Sequence, residues 1–131
     1  MSPSAKILVA DADAVACSKC QTLLVGDGHE VNVALTGDEA LRKIEEDRFD
    51  VVLLDLRIRR CGGLSLLRAI RKSSPETEVV VVTDAPSIEN AKESIRLGAF
   101  EFVTKPLGPQ ALRNVVDLAI ACRPWAIQQR C

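Results

Sequence analysis

Histidine occurs once in the chain, as His29, so a histidine-centred metal cluster or a nucleophile–histidine–acid triad has no spare parts, and the lone ring is expected in a turn. No apolar run approaches the roughly 20 residues that a membrane-spanning helix needs, and the N-terminal MSPSAK lacks the apolar stretch of a secretory signal. The expected setting is cytoplasmic, with no membrane partner. An excess of one charge is missing too. The 17 Lys and Arg against 18 Asp and Glu argue against direct nucleic-acid binding by a basic face. The 5 cysteines are an odd number without a secretion signal, which points to reduced thiols. Cys17 and Cys20 form a C-x-x-C, but the segment reads as mid-helix and has no second ligand pair nearby. Small helix residues are therefore expected there, not a redox pair or half of a metal site.

What is present is a repeating pattern. At 131 residues the chain suits one domain, taken as 1–122, with 123–131 as a tail or the start of a linker. Short apolar runs predict strands at 7–10, 30–35, 50–56, 78–83 and 100–103. Segments with helical spacing lie at 14–26, 37–47, 63–72, 87–97 and 108–122. Thr36 with Glu39 makes a capping box, Ser87 suits an N-cap, Gly98 a C-cap, and Pro109 a first helical turn.

The VVLL and VVVV runs are apolar without alternation, as strands covered on both faces must be, whereas EVNV alternates like a strand nearer an edge. Right-handed crossovers then give a doubly wound α/β sheet. Its site is expected outside the carboxyl ends of the strands, where the strand order switches. Asp11 and Asp13 follow the first strand, Asp55 the third, Thr83 and Asp84 the fourth, and Lys105 the fifth. Each of these residue types is common in solvated loops; convergence on one sheet edge is what makes them a candidate site.

KILVADAD, VVLLDLRI, VVVVTDA and FEFVTKP, in this order and over about residues 5–121, resemble the signature segments of response-regulator receiver domains of two-component signalling. The resemblance implies a flavodoxin-like (βα)5 fold with a five-stranded parallel sheet in order 2-1-3-4-5. By position it implies Asp55 as the phosphate acceptor, Thr83 and Lys105 as groups binding the phosphoryl oxygens, and Phe102 as the switch aromatic. It implies Mg²⁺ held by Asp11, Asp55 and the Arg57 backbone carbonyl, with Asp13 a further candidate, and a cis Lys105–Pro106 bond. The expected partner is a histidine kinase or phosphotransfer protein. A homodimer would use the fourth helix, fifth strand and fifth helix, where Ile88, Ala91, Ile95 and Leu118 offer apolar positions. The implied role is regulatory, not enzymatic.

Three departures modify that expectation. Ala12 stands where the family places a metal-binding acid, so Mg²⁺ affinity is expected to suffer. RIRRCGG replaces the usual Pro and Asp-Gly loop and sets Arg57, Arg59 and Arg60 near the acceptor, either as a solvated loop or with Arg57 supplying positive charge to a phosphoryl group. Asp84 stands where a small residue is usual and is placed to pair with Arg57. A degenerate receiver acting without phosphate is the alternative these departures support. A haloacid-dehalogenase-type phosphatase, suggested by the D-x-D of ADAD, lacks its further acidic pair, since Asp117 stands alone in a helix.

Overall fold

The computed structural model describes residues 4–58 and 62–122; Arg59, Arg60 and the tail 123–131 lie outside the described residues. The elements alternate as β1 Lys6–Ala10, α1 Ala14–Gly26, β2 Glu30–Ala34, α2 Gly37–Glu46, β3 Val51–Leu54, α3 Gly63–Ser73, β4 Glu78–Thr83, α4 Ile88–Arg96, β5 Glu101–Thr104 and α5 Pro109–Ala121. All the strand pairs are parallel, and the sheet order is β2-β1-β3-β4-β5. The flavodoxin-like order expected from the sequence is the observed one.

Strand periodicity divides the core in two. Leu8, Val52, Leu54, Val79 and Val81 face one side, where they pack with Ile44 of α2 and Leu66, Leu67 and Ile70 of α3. Ile7, Val9, Val51, Leu53 and Val80 face the other, against Leu24 of α1 and Leu112, Val116 and Ile120 of α5. Both faces of β3 are therefore covered, which is why its sequence is apolar without alternation. The outer strands β2 and β5 carry exposed positions, Glu30 and Glu101 among them.

Local chemistry fixes the ends of the elements. The third strand, expected over 50–56, is shorter because Asp55 leaves it to accept the N–H of Arg57 on its own side chain at 2.8 Å. The second stops at Ala34, because Glu39 Oε1 accepts from Leu35 N at 2.8 Å. Thr36 Oγ1 accepts from Glu39 N as a capping box requires, yet the returning Glu39 bond lands one residue before the cap. Ser87 caps α4 through Asn90 N. At the far end of α4, Gly98 adopts φ of 102° while Ala99 N donates to Ser94 O and Gly98 N to Ile95 O. That is a Schellman closure, available because glycine tolerates positive φ. His29 does sit in a turn as expected, but it is buried, and its Nδ1 accepts from Ala5 N at 3.1 Å.

Gly63 opens α3 against the backbone that leads out of β3. A Cβ there would stand 2.5 Å from the Leu56 carbonyl oxygen, and Leu56 lies between Asp55 and Arg57. Overpacking a well-filled interior costs about 1–3 kcal/mol, and Gly63→Ala is expected to lose that much in a urea titration. A variant as stable as the parent would show that the Leu56 segment shifts freely.

Candidate functional site

The carboxyl ends of β1, β3, β4 and β5 share one rim, and the order switches between β1 and β3. Asp11, Asp55 and Lys105 are each the first residue past a strand, Thr83 is the last residue of β4, and the ladder still grips the backbones of the first three. Asp11 N donates to Ala34 O at 3.0 Å, Asp55 N to Ala10 O at 3.0 Å and Lys105 N to Thr83 O at 2.8 Å. The sheet therefore sets the spacing of the site directly, with no flexible loop in between.

A second local device orients the side chains. Asp11 Oδ1 accepts from Asp13 N at 2.9 Å, Asp55 Oδ1 from Arg57 N at 2.8 Å, and Thr83 Oγ1 from Ala85 N at 3.1 Å. These are turns closed by a side chain onto the backbone two residues ahead. In both acids the closure engages Oδ1 and leaves Oδ2 facing inward. Lys105 Nζ donates to Asp11 Oδ2 at 2.6 Å and to Asp55 Oδ2 at 2.8 Å. Burial disfavours the charged lysine, but its bonds to the two carboxylates prevail and hold its pKa above the ordinary lysine value.

Asp11, Asp55 and Thr83 are all buried, while Lys105 is half-buried. Above them opens a depression of about 320 Å³ that Ala12, Asp13, Arg57 and Asp84 also line. Asp13 is the N-cap of α1, and its Oδ1 accepts from Val15 N and Ala16 N. An Asp directly before a helical run is itself a capping signal, so this second role was legible in the sequence. Arg57 Nη1 donates to Asp84 Oδ1 at 2.9 Å across the mouth. Both side chains are mainly exposed, and the guanidinium holds the Asp84 carboxyl below its usual range.

Phe102 is half-buried and packs on the core beneath α2, α3 and α4. The Lys105–Pro106 bond is cis. Beside the depression, an apolar groove of about 480 Å³ runs between α1 and the entry to α5, past Val15, Ala16, Leu107 and Leu112. Sequence reasoning did not identify this groove. Its walls are ordinary helix residues, and only the packing of α1 beside α5 makes them a surface.

The C-x-x-C is a packing feature. Cys17 is buried, its Sγ donates to Asp11 O at 3.3 Å, and burial, assisted by Asp11, pushes its thiol up to about 12. Burial raises Cys20 as well. Among the described residues no cluster of three or more His, Cys, Asp or Glu is placed as a metal cage. No described helix is long and apolar enough to cross a membrane.

A doubly wound sheet with two acids, a hydroxyl and a lysine gathered at its switch point has the architecture of a receiver-type signalling domain. The family model described as "Response regulator receiver domain" matches residues 7–117, and the chain belongs to that family. It is 35% identical over 115 residues to the transcriptional regulatory protein ZraR of Salmonella typhimurium, covering 88% of this chain and 26% of the relative. It is 32% identical over 126 residues to the transcriptional regulatory protein GlrR of Escherichia coli, covering 96% of this chain and 28% of the relative. The chain thus spans about a quarter of the length of these relatives. Among solved structures, a CheY-like receiver domain protein of Methanospirillum hungatei superposes with a TM-score of 0.87 at 30% identity, covering 90% of this chain and 94% of that one. NtrX of Brucella abortus superposes with a TM-score of 0.87 at 32% identity, covering 98% of this chain and 29% of that one. Receiver domains are regulatory modules of two-component signalling, and the family binds Mg²⁺ at its acidic site.

Two measurements test this site. Lys105→Met leaves Asp11 and Asp55 facing each other without their shared cation, so stability at neutral pH should fall by about 1–3 kcal/mol. Removing one of the two charges in Lys105→Met/Asp11→Asn relieves that repulsion, so the deficit should shrink in the double variant; an undiminished deficit would mean that lost packing dominates. Cys17, with its thiol at about 12, presents on the order of one thiolate in ten thousand at pH 8. Iodoacetamide should leave it unmodified in the folded protein and modify it on unfolding. Rapid modification of the native state would revive the redox reading.

Proposed function

We propose that Asp55 accepts a phosphoryl group from the phosphohistidine of a histidine kinase or phosphotransfer protein, and that the acyl phosphate changes the surface the domain shows to its output. The observation that carries this reading is the single ammonium, Lys105 Nζ, bonded to the inward oxygens of both Asp11 and Asp55 on the floor of the depression. In the transfer an Asp55 oxygen bonds to phosphorus while the phosphorus–nitrogen bond breaks, and the departing imidazole takes up a proton. Attack by a carboxylate on a charged phosphoryl group requires positive charge that is already in place. Lys105 supplies one such charge.

Asp11, Asp55 and the Arg57 carbonyl are the groups that would hold Mg²⁺, with Asp13 a weaker candidate because its Oδ1 caps α1. Two carboxylates suit an ion that keeps several of its waters, so the residues present fit it. When bound, the ion adds charge neutralisation at the phosphoryl oxygens. Thr83, fixed one strand away, is the hydroxyl we assign to a phosphoryl oxygen, and Phe102 the aromatic that responds. The readout face is then α4, β5 and α5, where Ile88, Ile95 and Leu118 are 75%, 51% and 58% exposed and Ala91 is half-buried. A second copy of the chain is the partner that this apolar face suits.

Incubation with acetyl phosphate and Mg²⁺, followed by intact-mass measurement, should label the parent, and Asp55→Asn should abolish the label. Label retained in that variant would remove Asp55 from the role. A parent that takes no label would favour a module that signals without phosphate. Because Ala12 leaves one carboxylate fewer at the site, Ala12→Asp should tighten Mg²⁺ binding by about tenfold in a calorimetric titration. Already tight binding with no gain would mean that Asp13 completes the site.

A further inference from the structure

Arg57 is held close to Asp55 by its own backbone, since its N–H is bonded to Asp55 Oδ1 at 2.8 Å. Its side chain crosses the mouth of the depression and gives one N–H, from Nη1, to Asp84 Oδ1 at 2.9 Å. Of the described residues lining the depression, only Arg57 and Lys105 are cations, against four carboxylates at Asp11, Asp13, Asp55 and Asp84. Lys105 is already shared by two of those acids. A phosphoryl group entering the site therefore finds one cation committed on the floor and the other tied to a single acid at the rim.

We infer that Arg57 is the phosphoryl clamp of this site and that Asp84 is its resting partner, exchanged for the phosphoryl group on transfer. The inference rests on the reading of Asp55 as acceptor. A guanidinium carries five N–H donors in a planar fork that suits two phosphate oxygens at once. The Asp84 pair uses one of them, in a contact that is more than half exposed on both partners. An exposed pair of this kind is weak and screened by salt, whereas a phosphoryl dianion offers more charge and more acceptors. The exchange supplies a cation where Ala12 leaves the metal side one acid short. It also releases Asp84, which lies three residues before the Ser87 cap of α4, so the partner swap reaches the helix that begins the readout face.

The full chain, Asp84→Ala, Arg57→Ala, Arg57→Lys and the double variant Arg57→Ala/Asp84→Ala would be labelled with acetyl phosphate at low and high salt. The bond formed is Asp55 oxygen to phosphorus, and the bond broken is the phosphorus–oxygen bond to acetate, which leaves. Opening a weak exposed pair should raise the Asp84→Ala rate by about two- to fivefold, less so at high salt. Removing the clamp should slow Arg57→Ala by about tenfold or more, with Arg57→Lys between the two because it keeps charge without the fork. Beryllofluoride, a phosphoryl mimic that needs no transfer step, should bind Arg57→Ala more weakly and Asp84→Ala more tightly. Circular dichroism confirms the fold of each variant. Label in the parent with Arg57→Ala reacting at the same rate or faster overturns the clamp and leaves the acceptor standing. No label in any variant overturns the acceptor, and the clamp with it.

Discussion

Two largely buried carboxylates, with 11% and 7% of their side chains exposed, face the same ammonium, and the functional end of the molecule is organised around that arrangement. Side by side without a cation, the two charges would repel in a medium where solvent screens them poorly. Lys105, bonded to one oxygen of each, stands between Asp11 and Asp55 and offsets that repulsion. Lys105 can occupy that place because its own N–H is pinned to Thr83 O, so that β4 delivers the lysine of the neighbouring strand to acids on β1 and β3. The site is thus a property of the parallel ladder, and strand register is its main positioning device.

The turns after the strands add selectivity within each carboxylate. One oxygen is consumed by the N–H two residues on and the other faces the cation, so the two oxygens of Asp55 are not equivalent. The same closure places the Arg57 backbone beside Asp55 whatever its side chain does. Stability and chemistry are joined here through Leu56, which partly packs on the core while Gly63 presses on its backbone from below. A change in α3 packing would therefore move the segment that carries both Asp55 and Arg57.

Most of the fold was legible because local and global signals agree. The apolar runs, caps and glycines of the chain name the same ten elements, and the observed ends differ by two residues or fewer. At the ends of β2 and β3, side chains took backbone bonds that a strand would otherwise use, Glu39 that of Leu35 N and Asp55 that of Arg57 N. Such competition leaves no mark in an apolar pattern. Burial of His29 was illegible for a related reason: its partner, the N–H of Ala5 just before β1, is distant in sequence. The candidate residues themselves were visible as strand-end acids, hydroxyl and lysine, and the Arg57–Asp84 pairing as opposite charges on adjacent strand ends. Bond directions, the choice of oxygen and the groove beside α1 required the packed sheet.

The unusual residues of the rim form one electrostatic set. A receiver with an acid at position 12 concentrates negative charge on the metal side; here that position is neutral and an acid stands at position 84, at the mouth. An added acid at the mouth alone would repel a phosphoryl donor. Arg57, bonded to it, offsets that charge at the rim. Among its described lining residues the depression has four carboxylates and two cations, so negative charge predominates among them while its placement changes. Distances of a few ångströms decide electrostatic energies in a partly buried cleft, so an acid at position 84 in place of one at position 12 changes where negative charge sits around Asp55. In this chain the proposed clamp is a side chain whose backbone is bonded to Asp55 itself, so strand geometry sets where that charge stands relative to the proposed acceptor.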